Sequence, residues 1–287
     1  MTNGVGMGAD GFAGFVKETR LNGLRIRCYD RGAGERAVLF LHGWGSDLSV
    51  FRAFFARAAS AFRVCALDLP GFGGSEEPSS AWEVSDYADF AAAFLKELGV
   101  REAVLVGHSF GGRIAVKLAA WSSRNLEGSE SRPLLPFTIP KIVLVDSAGV
   151  RRKRTLAQWV RLTFYKCAAR ALSFPIAEKI SPGVLERWRL RMGSADYRNA
   201  SPRMRQCLVK AVNEDLTPLF PSVSCPTLLV WGADDQDTPL SDARLMERLI
   251  PDSGVVVLQN AGHYSFLDQP FTFGRVLDSF LGLREMS

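Results

Sequence analysis

Apolar positions along the chain follow two periods, and the order in which those periods alternate predicts the architecture. Residues 15–21 and 24–29 read as two short strands turned by Asn22-Gly23, a pair that tolerates positive φ and closes tight hairpins. Residues 37–41 (AVLFL) are continuously apolar, as expected of a strand buried on both faces. Residues 49–60 take helical spacing, 63–67 return to strand and end at Asp68, and LPGFGGSEEP follows as a turn-rich stretch. Val84, Tyr87, Ala88, Ala91, Leu95 and Leu98 recur at three- and four-residue steps, the signature of one face of an amphipathic helix. Gly99 then stands where a glycine C-cap belongs. Strand is expected again at 103–106, helix at 113–121 and strand at 142–145.

After Val150 the alternation stops. Residues 151–220 hold helical stretches, notably 156–172 and 203–212, and no convincing strand. Alternation resumes with strand 227–231, helix 242–250, strand 255–259 and helix 273–281. Such alternation implies an α/β fold with a mostly parallel sheet covered by helices. The expectation is an eight-stranded sheet built from 1–150 and 221–287, with 151–220 inserted as a helical lid. Residues 122–140, rich in Ser, Glu, Gly and Pro, are expected as a surface loop.

Composition narrows the class. With 287 residues, 47% hydrophobic and 23% charged, the chain can bury a large core and does not read as disordered. No apolar run approaches the ~20 residues of a membrane span, and the N-terminal stretch lacks the pattern of a secretory signal. Cys28, Cys65, Cys167, Cys207 and Cys225 are odd in number, scattered and without a CxxC pair, which suits free thiols in a reducing, cytoplasmic setting. The net charge of +5 is uneven, because 151–220 carries fifteen Lys and Arg against five acids, about +10, and leaves about −5 elsewhere. A solvated basic helix face accounts for this most simply. The sharper alternative is attraction of an anionic substrate or an acidic membrane surface. No nucleic-acid recognition motif accompanies the charge, so nucleic acid is not an expected partner.

The chemistry is concentrated in four places. Gly107-His108-Ser109-Phe110-Gly111 fits G-x-S-x-G between a strand and a helix, where a sharp turn exposes a serine hydroxyl and needs small residues on either side. The bland alternative is a glycine-rich turn with a bystander serine. His42-Gly43-Trp44, at the end of the third strand, can present the backbone N–H of Trp44 beside that of Phe110 as an oxyanion hole. Without the serine turn it would be merely a tight strand exit. An acid-rich loop, WGADDQDTP, follows strand 227–231, and Gly262-His263-Tyr264 follows strand 255–259. Only three histidines exist. His42 belongs to the loop exit and His108 should point away from the hydroxyl, which leaves His263 as the base. Ser109 would attack a carbonyl, His263 would take its proton, and an acid would orient the imidazole. No cofactor or metal is required.

LHGW, DLPGFGGS (68–75), GHSFGG, WGADDQDTP and GHYSFLDQP together resemble the α/β-hydrolase superfamily across 35–150 and 221–287. The resemblance is to the branch with a helical lid after the sixth strand. It implies a Ser–Asp–His triad, and the family register WGxxDxxxP selects Asp235 as the acid over neighbouring Asp234 and Asp237. Some relatives carry the acid after the sixth strand, which here would be Asp146. The family spans esterases, C–C bond hydrolases, haloperoxidase-like enzymes, iminopeptidases and acyltransferases. Members acting on epoxides or carbon–halogen bonds carry an acid at the nucleophile position, and Ser109 argues against both. The leading expectation is hydrolysis of a carboxylic ester or similar small acyl substrate, anionic or hydrophobic. C–C bond hydrolysis comes next, and a non-catalytic ligand-binding role last. Trp159, Phe164, Tyr165, Phe174 and Trp188 would line the lid's apolar side. Oligomeric state is not legible.

Overall fold

In the computed structural model, which describes residues 10–124, 135–151 and 194–283, the apolar runs assemble into one sheet. Its strands are β1 (Val16–Leu21), β2 (Leu24–Arg31), β3 (Arg36–Leu41), β4 (Arg63–Leu67), β5 (Glu102–His108), β6 (Ile142–Val145), β7 (Thr227–Gly232) and β8 (Ser253–Leu258). Their order is β1-β2-β4-β3-β5-β6-β7-β8, with β1–β2 and β2–β4 antiparallel and every other pair parallel. Eight strands, mostly parallel, are what the alternation predicted.

The continuous apolar strands are explained by two cores, one on each face. Along β3, Ala37, Leu39 and Leu41 enter one core while Val38 and Phe40 enter the other, because successive side chains point to opposite sides. The first core is covered by α3 (Val84–Glu97) and α4 (Phe110–Arg124). The second is covered by α2 (Arg52–Ala58) and α9 (Pro270–Leu281), where Phe55 packs on Tyr29 and Phe40 with ring centroids 4.5 and 5.1 Å apart. Each fully buried phenylalanine of this kind contributes roughly 1.5–3 kcal/mol. The remaining helices are α1 (Asp10–Ala13), α5 (Ala195–Asn199), α6 (Pro202–Asn213), α7 (Leu240–Leu249) and α8 (Ser265–Asp268).

Two segments differ from expectation. Residues 49–60 begin with a 3-10 turn, Leu48–Phe51, because Asp47 accepts the Ser49 N–H at 2.7 Å and caps it; α2 starts only afterwards. The stretch 122–140 is not all surface loop. Helix α4 continues to Arg124, and Thr138 bridges in parallel to Glu102 with Phe137 and Ile139 buried on either side. Two apolar residues two positions apart were a strand signal that the polar composition masked; residues 125–134 lie outside the described residues.

Of the segment 151–220, residues 152–193 also lie outside them, with the expected helix 156–172, the basic residues Arg152, Lys153 and Arg154, and all five aromatic residues assigned to the lid. The expected helix 203–212 is α6, started by Pro202 in its first turn and by the Ser201 hydroxyl accepting the Met204 N–H at 3.2 Å. Cys28, Cys65, Cys207 and Cys225 are free thiols. No helix among the described residues is long and apolar enough to cross a membrane. What the sheet does for function is to align the C-terminal ends of β3, β5, β7 and β8 along one edge, and each delivers a loop to the same place.

Candidate active site

Ser109 sits at the turn from β5 into α4 with φ of 49°, a conformation that costs a non-glycine residue energy and persists only under tight surroundings. Those surroundings are the β3 exit. A Cβ on Gly111 would run into the Leu41 carbonyl, and one on Gly43 would lie 2.7 Å from His108 Nδ1 and 3.3 Å from Ser109 Cβ. The His-Gly exit and the serine turn therefore touch across bare backbone. Trp44 stacks edge-on against Phe110, ring centroids 5.2 Å apart.

Buried polar groups hold this exit loop in place. His42 donates from Nδ1 to the Gly43 carbonyl at 2.7 Å and accepts the Leu69 N–H at Nε2 at 2.9 Å, while burial holds its pKa below the ordinary value. Asp68, also buried, accepts the N–H groups of Leu48 and Gly74 at 2.8 and 2.7 Å. The DLPGFGGS stretch is thereby tied to the segment that follows Trp44.

The three expected side chains meet. Ser109 Oγ lies 3.0 Å from His263 Nε2, and His263 Nδ1 lies 2.9 Å from Asp235 Oδ2. Asp235 is buried, and its Oδ1 accepts the N–H groups of Asp237 and Thr238 at 2.8 and 3.0 Å. The Thr238 hydroxyl donates to Oδ2 at 2.7 Å, and Trp231 Nε1 donates to the Thr238 carbonyl at 2.6 Å. Asp146 is elsewhere engaged, accepting the N–H groups of Gly232 and Ser265 at 2.8 and 3.0 Å. Asp234 and Asp237 are exposed.

A family model described as alpha/beta hydrolase fold matches residues 36–270. The chain belongs to the α/β-hydrolase family. This α/β-hydrolase is 28% identical to 2-(acetamidomethylene)succinate hydrolase of Mesorhizobium japonicum, over 84% of this chain and 86% of that one. It is 26% identical to 2-hydroxymuconate semialdehyde hydrolase of Pseudomonas sp. strain CF600, over 90% and 91% of the two chains. Among solved structures, a thermophilic esterase from Thermogutta terrifontis matches with a TM-score of 0.65 and 26% identity, covering 93% of this chain and 97% of the esterase.

Electrostatics in this α/β-hydrolase site separate its histidines. Burial pulls His263 down, but the Asp235 hydrogen bond and charge outweigh it, so its pKa is raised above 6.5. Burial pushes Asp235 up, and the hydrogen bonds from His263 and Thr238 more than reverse this, holding it below 3.8. His108 is pulled down to about 3 by burial and by the neighbouring His263, so it stays neutral. Its Nε2 donates to the His263 carbonyl at 2.8 Å. Burial raises Asp146 to about 7 against the pull of its two N–H donors.

Ser109, His263, Trp44 and Phe110 line one cavity of about 410 Å³, together with Arg113 and Leu208. That volume suits a small organic molecule. Oxygen or nitrogen atoms of Asp235, Asp237 and His263 lie within 4.8 Å of one another and could meet a cation. Asp235 and His263 already bond each other there. Reading the sequence named His108 only as pointing away from the hydroxyl and gave Thr238 and Arg113 no role. Thr238 had one available signal, its position in the loop between the acid and proline.

Proposed function

We propose that Ser109, His263 and Asp235 act as nucleophile, base and orienting acid of a serine hydrolase that cleaves a carboxylic ester or similar small acyl substrate. One observation carries the reading, the unbroken contact chain Ser109 Oγ–His263 Nε2 at 3.0 Å and His263 Nδ1–Asp235 Oδ2 at 2.9 Å. His263 Nε2 accepts the Ser109 proton as Oγ attacks the carbonyl carbon, forming a tetrahedral oxyanion. The N–H groups of Trp44 and Phe110 stabilise that oxyanion. Collapse expels the leaving group, which takes the proton from His263, and water then attacks the acyl-enzyme with His263 again as base. Asp235 stays ionised, keeps the Nδ1 tautomer and stabilises the imidazolium.

The domain reading belongs to the same proposal: 1–150 and 221–287 form the core, and 151–220 covers the cavity as a cap. The partner is a small molecule, and the free thiols support a cytoplasmic setting. A second reading, hydrolysis of a C–C bond beside a carbonyl, is favoured by the Pseudomonas relative, whose name gives a semialdehyde rather than an ester as substrate. In that case the same serine attacks a ketone and the leaving group is a stabilised carbanion.

The test is turnover of 4-nitrophenyl esters from acetate to laurate by wild type and Ser109→Ala. Esterase function predicts a loss of about 10³-fold or more in kcat on mutation. If wild type turns over no ester yet a fluorophosphonate probe labels Ser109, the C–C reading replaces the ester one. Failure of both turnover and labelling leaves a binding protein.

A further inference from the structure

The cavity contains a cation that the described residues leave under-used. Arg113 lies on α4 four residues after Ser109, one helical turn along the same face. It lines the cavity and is only 6% exposed, so its guanidinium has lost most of its water. Against five N–H donors it makes one hydrogen bond, from Nη1 to the Glu214 carbonyl at 3.0 Å, and no ion pair among the described residues. Lys117, a turn further on, shows what a purely structural cation looks like here. It donates to Ser85 Oγ at 2.7 Å and forms an ion pair with the Glu214 carboxylate, so that acid is already taken. Burial costs Arg113 enough to pull its pKa down to about 10 despite the nearby charges of Glu214 and Asp215.

The cavity is polarised. Its acids, Asp196, Asp237 and Asp242, also line the wall, and Asp196 and Asp237 act electrostatically on each other and on His263. The acids felt by Arg113 are Glu214 and Asp215, neither of them among the cavity's lining residues. Among the described lining residues, Asp196 and Asp237 place negative charge near His263, and Arg113 is the one arginine or lysine.

Resting on the serine-hydrolase reading above, we propose that Arg113 is a specificity residue whose N–H groups, unpaired among the described residues but for the Glu214 bond, bind a carboxylate of the substrate. The substrate class is then an organic acid carrying the scissile carbonyl and a separate carboxylate, with that carboxylate directed along α4, away from the acids beside His263. An arginine–carboxylate pair in a desolvated pocket is bidentate and charge-assisted, which is the geometry that a lone amine would not match.

Mono-4-nitrophenyl adipate and 4-nitrophenyl hexanoate share a six-carbon acyl chain and differ in the terminal carboxylate, so their kcat/KM ratio reads the contact directly. Wild type should favour the adipate ester, and Arg113→Gln should lower the ratio by about 10- to 100-fold. Arg113→Lys should keep part of the preference, as a point charge does. An unchanged ratio in Arg113→Gln overturns the proposal. If neither ester is turned over, the ester reading has failed on its own. Calorimetric binding of monomethyl adipate and methyl hexanoate, which differ only in the terminal carboxylate, then decides for Arg113: the adipate monoester at least tenfold tighter in wild type supports it, and equal or no binding overturns it. The wild-type comparison also stands if Arg113→Gln does not fold.

Discussion

The imidazole of His108 donates from Nε2 to the main-chain carbonyl of His263 across 2.8 Å, so the residue before the proposed nucleophile holds the loop bearing the proposed base. The His108 ring is buried, and burial beside His263 keeps it neutral far below physiological pH, so the bond does not titrate with the site. Replacing His108 with Phe keeps an aromatic ring but removes the donor to the His263 carbonyl. Because ångström-scale misplacement of a reacting group can cost about 10²-fold, kcat should fall by roughly 10- to 100-fold while KM changes little. A KM-dominated effect in steady-state kinetics would show that His108 shapes binding instead.

Asp235 and Asp146 separate under mutation. Asp235→Asn keeps the shape but disturbs the His263 tautomer, and kcat should drop by about 10⁴-fold. Asp146→Asn replaces one of two oxygens that accept N–H bonds from Gly232 and Ser265. It should cost about 1–3 kcal/mol in urea unfolding, with kcat lowered less than tenfold. The reverse pattern would make Asp146 the acid.

The pH dependence has a fixed sign. His263 accepts a proton only when neutral, and its pKa is raised by Asp235 above 6.5. The acid limb of kcat/KM should therefore have its midpoint above 6.5, with activity lost as pH falls through it. A limb centred below 6.5 would mean that burial of His263 outweighs the stabilisation by Asp235.

At Gly43 an added methyl would lie 2.7 Å from His108 Nδ1, too close for any real contact. Gly43→Ala must push the β3 exit away from the serine turn and carry the Trp44 N–H with it. Loss of one oxyanion donor is worth about 10²–10³ in kcat, so a fall of that size is expected. The same strain should cost about 1–3 kcal/mol in stability. Wild-type kcat in the alanine variant would remove the Trp44 N–H from the mechanism.

Much of the fold could be read along the chain because its signals are local. The continuous runs of β3, β5 and β7 declare strands buried on both faces, and the spacing of Val84 to Leu98 declares the helix above them. The serine turn was legible for the same reason, since Gly107, Ser109 and Gly111 sit within five residues. His263 was legible by scarcity, one of three histidines with the other two spoken for. By contrast, the polar composition of 122–140 hid Phe137 and Ile139, whose burial depends on pairing beside Glu102.

The sequence by itself thus determined the alternation of elements, the strained turn and the set of residue types able to do the chemistry. Only the tertiary structure decided which of those residues meet. Ser109 and His263 are 154 positions apart, and their contact exists because β5 and β8 end on the same edge of a parallel sheet. The same holds for Asp235 and Asp146, both acids following strands, of which one faces His263 and the other the N–H groups of Gly232 and Ser265. Arg113 is the extreme case, an ordinary helix residue in the sequence that becomes a nearly dry cation once α6 and the chain near Glu214 pack over it. Side-chain direction and desolvation are properties of packed neighbours, so no local pattern along the chain can encode them.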